Sequence, residues 1–273
     1  MKLQVGRNEL LSALQAVIGV VERRQTLPVL SNFLLETRDD ELVVTGTDLE
    51  IELESRARVQ NLAPGRATVP ARKLFDICRG LPEGAEIQLD INGEKAALKS
   101  GRSRYSLSCL KAEEFPAMGL VKEGKQLTLG RGELKNLIER TQFAMAQQDV
   151  RYYLNGLLLE ARDKRLRAVA PDGHRLSMAD IDVSSSIDVE KQVILPRKGV
   201  QEMTRFLDDS DTEAQLQIGA NHLRCTLKDI TFTSKLIDGR FPDYNRVIPA
   251  AQDKKILLPR TLFRETLNRT AIL

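Results

Sequence analysis

Hydrophobic and polar residues alternate along this chain with two different periods. A period of three to four residues, typical of an amphipathic helix, occurs in 10–21, 74–78, 134–138 and 200–207. A period of two, typical of a strand with one buried face, occurs in segments between them. The alternation of the two periods predicts an α+β fold, in which each part of the chain has about two helices and several antiparallel strands.

Short polar segments separate the predicted strands and indicate hairpins. The predicted strand pairs are 31–36 with 42–47, 157–161 with 166–169, and 216–218 with 223–227. A further strand, 87–91, leads into Asn92 and Gly93, a dipeptide that favours a tight hairpin turn. Because the turns are short, neighbouring strands should pair in an antiparallel manner.

The chain also repeats itself, since four separated sets of residues recur in the same order 124 to 126 positions later. Gly6-Arg7 and Glu9-Leu10 recur as Gly130-Arg131 and Glu133-Leu134, and Thr47-Asp48 recurs as Pro171-Asp172. Val69-Pro70 recurs as Leu195-Pro196, and Phe115-Pro116 recurs as Phe241-Pro242. A fixed period indicates repeated structural units. We therefore predict two similar domains, 1–121 and 122–249, and the beginning of a third copy in 250–273.

Composition excludes several classes of protein. The chain is 42% hydrophobic and 29% charged, which is typical of a globular protein. It has no long apolar run and no secretory signal, so we expect a cytoplasmic protein without a membrane span. Three scattered cysteines and two histidines favour neither a disulfide framework nor a zinc site, and no glycine-rich phosphate loop is present. The sequence predicts no metal and no cofactor.

Charge is distributed unevenly between the predicted elements. The net formal charge is only +3. Each of the five predicted helical segments is nevertheless net positive, so the strands and loops are together net negative; the segments are 6–24, 71–81, 130–148, 197–207 and 259–273. The basic residues Arg72, Lys73 and Arg79 recur as Arg197, Lys198 and Arg205. A repeated basic helical face suits a polyanion contacted at its phosphates. The alternative is an ordinary solvated face with local ion pairs.

Three further patterns are candidates for chemistry or ligand binding. Asp48, Glu50, Glu52 and Glu54 alternate with apolar residues, which predicts four carboxylates on one strand face. Such a face could hold the metal of a nuclease, although a solvated strand face is far more common. His174 is interpreted as a groove or structural residue, whereas the Arg151-Tyr152-Tyr153 run suits either ligand contact or core packing.

Seven longer motifs resemble the bacterial sliding-clamp family, the beta subunits of the DNA polymerase III holoenzyme. The segments are Thr45–Glu50, Val69–Lys73, Phe75–Ile87, Gly101–Ser108, Asp149–Gly156, Asp172–Leu176 and Phe232–Tyr244. The resemblance implies tandem repeated DNA-clamp domains, with antiparallel sheets outside and two helices of each domain facing a DNA channel. It also implies a non-catalytic processivity factor that forms a homodimeric ring. The implied partners are double-stranded DNA, the polymerase catalytic subunit and the clamp loader.

The resemblance also implies roles for particular residues. Arg24, Gln148, Tyr152 and Tyr153 would face DNA. The repeated charge pattern adds the helical cations Arg72, Lys73, Arg197 and Lys198 as candidate DNA contacts. The groove that captures short peptides would be formed by Leu154, Gly173, His174, Arg175, Leu176, Pro242, Arg246 and Val247. The dimer interface would use Tyr105 and Leu107 at one end and Ile272 and Leu273 at the other.

Two departures from the family pattern leave alternatives open. Pro171 stands where the family has threonine, so it lacks a backbone donor at one rim of the predicted groove. The resemblance implies a complete third domain, whereas the third copy here covers only 250–273. The alternative functions are therefore a shortened, non-ring variant that binds peptides and DNA, and a metal-dependent nuclease.

Overall fold

The protein was examined as a computed structural model that describes residues 1–22, 27–116, 118–119, 124–249 and 253–272, without the side chains of 125 and 184–190. The helices in these residues are α1 (Arg7–Val17), α2 (Ala71–Gly80), α3 (Arg131–Glu139), α4 (Arg197–Phe206) and α5 (Arg260–Thr270). Short 3-10 helices lie at Pro28–Ser31, Ala112–Glu114, Gln142–Ala144, Tyr152–Leu154 and Tyr244–Val247. Every helix in the described part of the chain is too short or too polar to cross a membrane.

The strands fall into two series, one for each predicted repeat. The first is β1 (Lys2–Gly6), β2 (Asn32–Arg38), β3 (Glu41–Thr47), β4 (Ile51–Arg58), β5 (Gln60–Ala63), β6 (Arg66–Pro70), β7 (Glu86–Asn92), β8 (Lys95–Ser100) and β9 (Ser103–Ser108). The second is β10 (Lys125–Gly130), β11 (Gly156–Pro171), β12 (Leu176–Pro196), β13 (Glu213–Ile218), β14 (His222–Thr226) and β15 (Ile230–Lys235).

The strands form antiparallel sheets, one of which runs through both repeats. Its order is β10-β13-β14-β15-β4-β3-β2-β6, and the junction is the pairing of β15 with β4, where Phe232 lies opposite Leu53. A second sheet has the order β5-β1-β7-β8-β9, and β11 pairs with β12. Backbone hydrogen bonds therefore join the two repeats directly.

The repeat in the sequence is also a repeat in backbone geometry. Asp39 and Asp163 both have positive φ, at 52° and 54°, and so do Leu49 and Gly173, at 76° and 88°. Positive φ is uncommon for residues other than glycine, so two matches at the same separation indicate the same local turns. A proline, Pro70 or Pro196, precedes α2 and α4 in the same way.

The helices begin where the repeated sequence predicts. The carboxylate of Glu133 accepts the backbone N–H of Gly130 at 3.0 Å, which caps the first turn of α3. In α1 the carboxylate of Glu9 lies in the same position, since an added Cβ on Gly6 would be 2.1 Å from its Oε2. The Gly-Arg-x-Glu pattern is therefore a helix start in both repeats.

The helices pack against the sheets through fully buried leucines, valines and methionine. Helix α1 contacts β3, β4 and α2, and α3 contacts α4. Contact is closest at Gly46 of β3, where an added Cβ would be 2.7 Å from Cγ1 of Val17. Leu14 of α1, Leu74 of α2 and Met203 of α4 have no exposed surface. These contacts make one core that extends through both repeats.

Three local predictions differ from the structure. Helix α1 ends at Val17 rather than continuing to Val21; the buried Val20 and Val21 follow it in turns, whose N–H groups donate to Val17 and Ile18. The predicted strands 157–161 and 166–169 are joined in one element, β11; the turn expected between them coincides with a break in the register with β12 and with the positive φ of Asp163, which matches that of Asp39 in the first hairpin. Residues 256–258 form no strand and are largely exposed, because no strand among the described residues pairs with them.

By its internal contacts the chain divides into two compact units, 1–240 and 241–273. The first unit contains all the sheets and α1 to α4. The second contains the 3-10 helix Tyr244–Val247 and α5, whose apolar residues Leu262, Phe263 and Leu267 are about half exposed.

Candidate functional site

The segment 148–155, which contains the two predicted DNA-facing tyrosines, is a tightly bonded turn. Gln148 is exposed and has φ of 54°. Oδ1 of Asp149 accepts the backbone N–H of Arg151 at 2.8 Å, and the Arg151 guanidinium donates to both carboxylate oxygens at 3.0 and 2.8 Å. The side chain of Asn155 accepts the N–H of Asp149 and donates to its carbonyl. The turn is therefore held by its own side chains.

Asp149 and Arg151 of this turn shift each other's pKa. Hydrogen bonds from the Arg151 side chain and then its backbone lower the pKa of the Asp149 carboxyl to about 2. The hydrogen bond to Asp149 raises the pKa of the Arg151 guanidinium. Both groups are therefore ionised at neutral pH.

Tyr152 and Tyr153 lie edge to face on this turn, with ring centroids 5.9 Å apart. The side chain of Tyr152 is largely exposed, that of Tyr153 is half-buried, and Leu154 is buried. An added Cβ on Gly239 would be 3.1 Å from the Tyr152 ring, so this glycine allows the backbone of 239 to pass beside the tyrosine. The structure thus presents Gln148 and Tyr152 to solvent on a rigid support.

The loop 172–175, which contains the predicted groove residues Gly173, His174 and Arg175, lies beside this turn. Oδ1 of Asp172 accepts the N–H groups of His174 and Arg175 at 2.9 and 3.0 Å. These backbone hydrogen bonds lower the pKa of the Asp172 carboxyl. An added Cβ on Gly173 would be 2.7 Å from Nη2 of Arg151, so the loop and the turn are in contact.

Arg175 anchors the same loop to α3 and the residues that follow it. Its guanidinium donates to the carbonyl of Phe143 at 2.9 Å and lies over the Phe143 ring, 5.6 Å from the centroid. The Ser177 hydroxyl donates to the carbonyl of Arg140 at 2.6 Å. The sequence analysis missed Phe143, although an aromatic residue beside the Gln147-Gln148 segment was a visible signal.

The remaining predicted groove residues are divided between the two compact units. In the first unit Leu176 is half-buried at the start of β12. In the second unit Pro242, Arg246 and Val247 are exposed, and Nε of Arg246 lies 3.2 Å from Asp243. A single groove formed by all eight residues stays a prediction.

Pro171 changes the loop 172–175 in a way that the first repeat makes visible. At the equivalent position, the Thr47 hydroxyl accepts the N–H of Leu49 at 3.1 Å and donates to the carbonyl of Ile51 at 2.8 Å. Proline cannot make either hydrogen bond. The loop of the second repeat is therefore held by Asp172 without that support.

The predicted basic helical face contains cations in different environments. The Arg72 guanidinium donates to the carbonyl of Val21 at 2.9 Å, and that of Arg197 to Met145 at 3.1 Å. The Lys198 ammonium forms ion pairs with Glu22 and Asp48. Lys73 is exposed and has no ion pair or hydrogen bond with the described residues. Alignment by the two prolines pairs Arg72 with Lys198, which corrects the predicted pairing with Arg197 by one residue.

Several other helical cations form ion pairs, and those of Arg79 and Arg205 are local, as the alternative interpretation of the charge pattern expects. The N–O distances are 3.0 Å for Arg79 with Asp76, 2.9 Å for Arg205 with Glu202, and 2.9 Å for Lys135 with Asp209. Exposed pairs of this kind contribute little to stability. They reduce the charge that these helices can offer to a polyanion.

The predicted row of four carboxylates does not exist. Asp48 and Glu50 precede β4, and Oδ1 of Asp48 accepts the N–H groups of Glu50 and Ile51 in a turn. Glu52 is buried and accepts the N–H of Met118 at 3.0 Å; burial raises the pKa of its carboxyl. Among the described residues, no group of three or more His, Cys, Asp or Glu side chains is arranged to hold a metal ion.

The remaining predicted residues lie at element ends. Tyr105 is exposed on β9, an edge strand, whereas Leu107 of the same strand is buried. Ile272 is exposed after α5. Arg24 and Leu273 lie outside the described residues.

Each of the two repeats matches a separate family model. Residues 1–119 match the model for the DNA polymerase III beta subunit, N-terminal domain. Residues 128–243 match the model for the central domain of the same subunit.

Individual relatives match the chain over its whole length. Proteins named beta sliding clamp from Pseudomonas aeruginosa and Escherichia coli K12 are 49% and 50% identical to it; each alignment covers all of this chain and 75% of the relative. The crystal structure of the DNA polymerase III subunit beta from Pseudomonas aeruginosa has a TM-score of 0.97 at 49% identity, covering 100% of this chain and 75% of that one. Caulobacter crescentus pol III beta has a TM-score of 0.90 at 39% identity, covering 98% and 74%.

Proposed function

Because the chain belongs to the DNA polymerase III beta subunit family, we propose that it acts as a sliding clamp, the processivity factor that keeps the replicative DNA polymerase on duplex DNA. The observation that carries this proposal is about half identity to beta sliding clamps along the entire chain, with the same backbone fold. The repeated unit supports it, because similar domains joined by continuous sheets can extend into a curved, closed assembly.

We propose further that the protein catalyses no reaction itself and works in the cytoplasm. Its partners would be double-stranded DNA, the polymerase catalytic subunit, the clamp loader and a second copy of the chain. The exposed edge of β9 with Tyr105 suits such a self-contact, since an unpaired edge offers backbone groups to another strand.

Ring topology is tested by retention on DNA after loading. A closed ring leaves linear duplex at its ends but stays on nicked circular duplex of the same sequence, so retention should be much longer on the circle. Equal loss from both substrates would reject encirclement and favour the alternative of a non-ring binding module. A Mg²⁺-dependent cleavage assay with the unchanged chain and Asp48→Ala tests the nuclease alternative, which requires cleavage that the substitution abolishes.

DNA contact is proposed for Arg24, Gln148, Tyr152 and Tyr153, with Lys73 as the helical cation most available to a phosphate. Support comes from the exposure of Gln148 and Tyr152 on the rigid turn. Arg24→Ala should weaken binding and reduce the salt slope by about one, because one phosphate contact is lost. Tyr153→Ala should also weaken binding.

The matched control for DNA binding is Lys99→Ala, which removes an exposed lysine on β8, away from the helices. It should leave binding and its salt dependence unchanged. Binding at low salt that neither Arg24→Ala nor Tyr153→Ala alters would remove these residues from the interface.

Peptide capture is proposed for the loop 172–176 with Leu154, Pro242, Arg246 and Val247. Leu176→Ala should reduce the affinity for a short peptide of the polymerase by roughly tenfold or more, since a buried apolar contact contributes about 1.5–3 kcal/mol. Leu62→Ala, the same change at an exposed residue of β5, is the control and should have no effect. An affinity unchanged by Leu176→Ala would exclude the groove.

A further inference from the structure

The junction between the two repeats is built from more than paired strands. The N–H of Lys235 donates to the carbonyl of Glu50 at 2.9 Å, and that of Arg56 to Asp229 at 3.1 Å, so hydrogen bonding continues across the junction. Neighbouring strands in a sheet can differ widely in twist, so the pairing of β15 with β4 is not the only contact that determines the angle between the two repeats. Side chains beside the junction are therefore candidates to determine that angle.

A cluster of three charged side chains spans this junction. The Lys198 ammonium, from the first turn of α4 in the second repeat, contacts Oδ2 of Asp48 at 2.5 Å and also Oε1 of Glu22, both in the first repeat. The Asp48 side chain is only 3% exposed. Burial lowers the pKa of the Lys198 ammonium, but its close contacts with the carboxylates of Asp48 and Glu22 outweigh this effect and leave the pKa raised. The lysine therefore stays charged between two carboxylates.

Comparison of the repeats shows that Asp48 differs from its counterpart. In both repeats Oδ1 of the aspartate accepts two backbone N–H groups of its own turn. In the second repeat, Oδ2 of Asp172 accepts a hydrogen bond from Arg175 of the same turn at 2.9 Å. In the first repeat that oxygen instead faces Lys198 across the junction.

Other contacts converge on the same end of α1. The Arg72 guanidinium, which occupies the position equivalent to Lys198, donates to the carbonyl of Val21. An added Cβ on Gly19 would be 2.0 Å from Nη1 of Arg205 and 3.1 Å from Oε2 of Glu202, so α4 lies directly against the end of α1. The residues after α1 are therefore held by α2 on one side and α4 on the other.

We propose that Lys198, Asp48 and Glu22 form an ionic clasp that determines the angle between the two repeats, and that Lys198 is a positioning residue rather than a phosphate ligand. A buried carboxylate that loses its cation is strongly unfavourable, so the three side chains hold each other in place. The clasp goes beyond the proposed function, and its test needs no DNA. A curved assembly on DNA would depend on it through the angle that it maintains.

A double-mutant cycle on the full chain tests the clasp. Lys198→Met should lower the thermal unfolding midpoint by about 5 °C or more, because it leaves Asp48 buried without a cation. Asp48→Asn keeps a side-chain oxygen for the turn and should lower the midpoint by less. The double variant should be no less stable than Lys198→Met alone, since the uncompensated charge has gone. Additive effects of the two substitutions would overturn the proposal.

The angle itself is measured with spin labels on one residue of each repeat, at Arg102→Cys and Lys228→Cys. Both positions are exposed, whereas the three native cysteines are buried, and burial raises the pKa of Cys78 and Cys225 to about 12. Labelling should therefore be selective. Asp48→Asn and Lys198→Met should shift or broaden the distance distribution, and Glu22→Gln should do so less.

The control is Lys73→Met, which removes an exposed cation of α2 that has no partner among the described residues. It should leave the unfolding midpoint and the distances unchanged. If Lys198→Met weakened DNA binding with its midpoint and distances unaltered, Lys198 would be a phosphate contact and the clasp would be rejected. Failure to encircle DNA would overturn the proposed function and leave these two measurements unaffected.

Discussion

Single carboxylates of this chain hold its exposed loops in shape. Asp48 and Asp172 each accept the backbone N–H groups of the residues two and three positions later. Asp149 accepts the backbone N–H of Arg151, and all three carboxylates also face a basic side chain. The sequence showed the short Asp-x-x segments, but not which cation each carboxylate would meet. The basic side chain that faces Asp149 or Asp172 belongs to the same turn, whereas the one that faces Asp48 belongs to the other repeat.

Arg151 should lower the pH at which the Asp149 carboxyl becomes protonated in the folded chain. Because the folded-state pKa is lowered to about 2, its stabilising effect is present above the unfolded value of ~3.9 and is lost as the pH falls through the folded value. We expect an NMR titration of the Asp149 carboxyl to have a midpoint near 2, and Arg151→Gln to move it upwards. Arg175→Gln is the control, since it should raise the midpoint of Asp172 and leave that of Asp149 unchanged.

The contribution of Glu52 to stability should depend on pH in the opposite direction from that of Asp149. Burial, opposed by the Met118 N–H and by Arg224 and reinforced by Glu54, raises the folded-state pKa. Its contribution to stability is therefore complete below the unfolded value of ~4.3 and is lost as the pH rises through the folded value. Glu52→Gln keeps an acceptor for Met118, so its stability relative to the unchanged chain should increase with pH. A difference in unfolding free energy that is constant from pH 4 to 7 would contradict this account.

The sequence predicted where helices begin better than where they end. The helix starts were predictable, because Gly6 and Gly130 are followed by a capping glutamate. The end of α1 was not, since the apolar residues Val20 and Val21 continue to be buried after the helix has ended. The hydrophobic pattern reflects which side chains are buried, and a turn can bury a side chain as well as a helix can. The pattern therefore does not show where α1 ends.

Gly46 should tolerate no side chain, because β3 and α1 are closest there. Gly46→Val should reduce the free energy of unfolding by about 1–3 kcal/mol, the range observed when a packed core is overfilled. Gly80→Ala is the matched control at the end of α2, where an added Cβ meets no atom within 4 Å. It should be neutral or stabilising by up to about 1 kcal/mol, because glycine is a poor helix former. Denaturant unfolding measures both, and equal effects would exclude steric contact as the cause.

On the scale of the whole molecule, the sheet that joins β15 to β4 unites two repeats that the sequence presents as separate domains. Both the family matches and the internal period divide the chain near residues 120–128. The contacts instead place residues 1–240 in one compact unit. A shared sheet and core favour cooperative unfolding.

We expect the two repeats to unfold in one transition. The chain has no tryptophan, so Phe75→Trp in α2 and Phe206→Trp in α4 provide one fluorescent reporter for each repeat. The two reporters should give coincident denaturant curves, which can be compared with circular dichroism. Separate midpoints for the two reporters would show that each repeat folds independently.

The candidate site shows which contacts could be predicted from sequence motifs and which could not. Family motifs identified the Tyr152-Tyr153 turn and the loop 172–176, and the structure brings them into contact through Arg151 and Gly173. Charge counting singled out Lys198 as a DNA contact, whereas the structure pairs it with Glu22 and Asp48. A count of charges includes no distances, so it cannot distinguish a cation that is free from one that is neutralised.

Local chemistry and periodicity in the amino-acid order determined the α+β class, the capped helix starts and the turns with positive φ, because each depends on residues close together in the chain. The duplicated unit was also visible in the sequence, because it is a repeat of the sequence itself. Tertiary structure alone decided the partners of Asp48, Glu52 and Lys198, the burial of Leu107 and the continuity of the sheet from β15 to β4. These features join residues more than sixty positions apart or depend on which face of a strand the core covers. Their energies come from packing and desolvation, which only the folded chain defines.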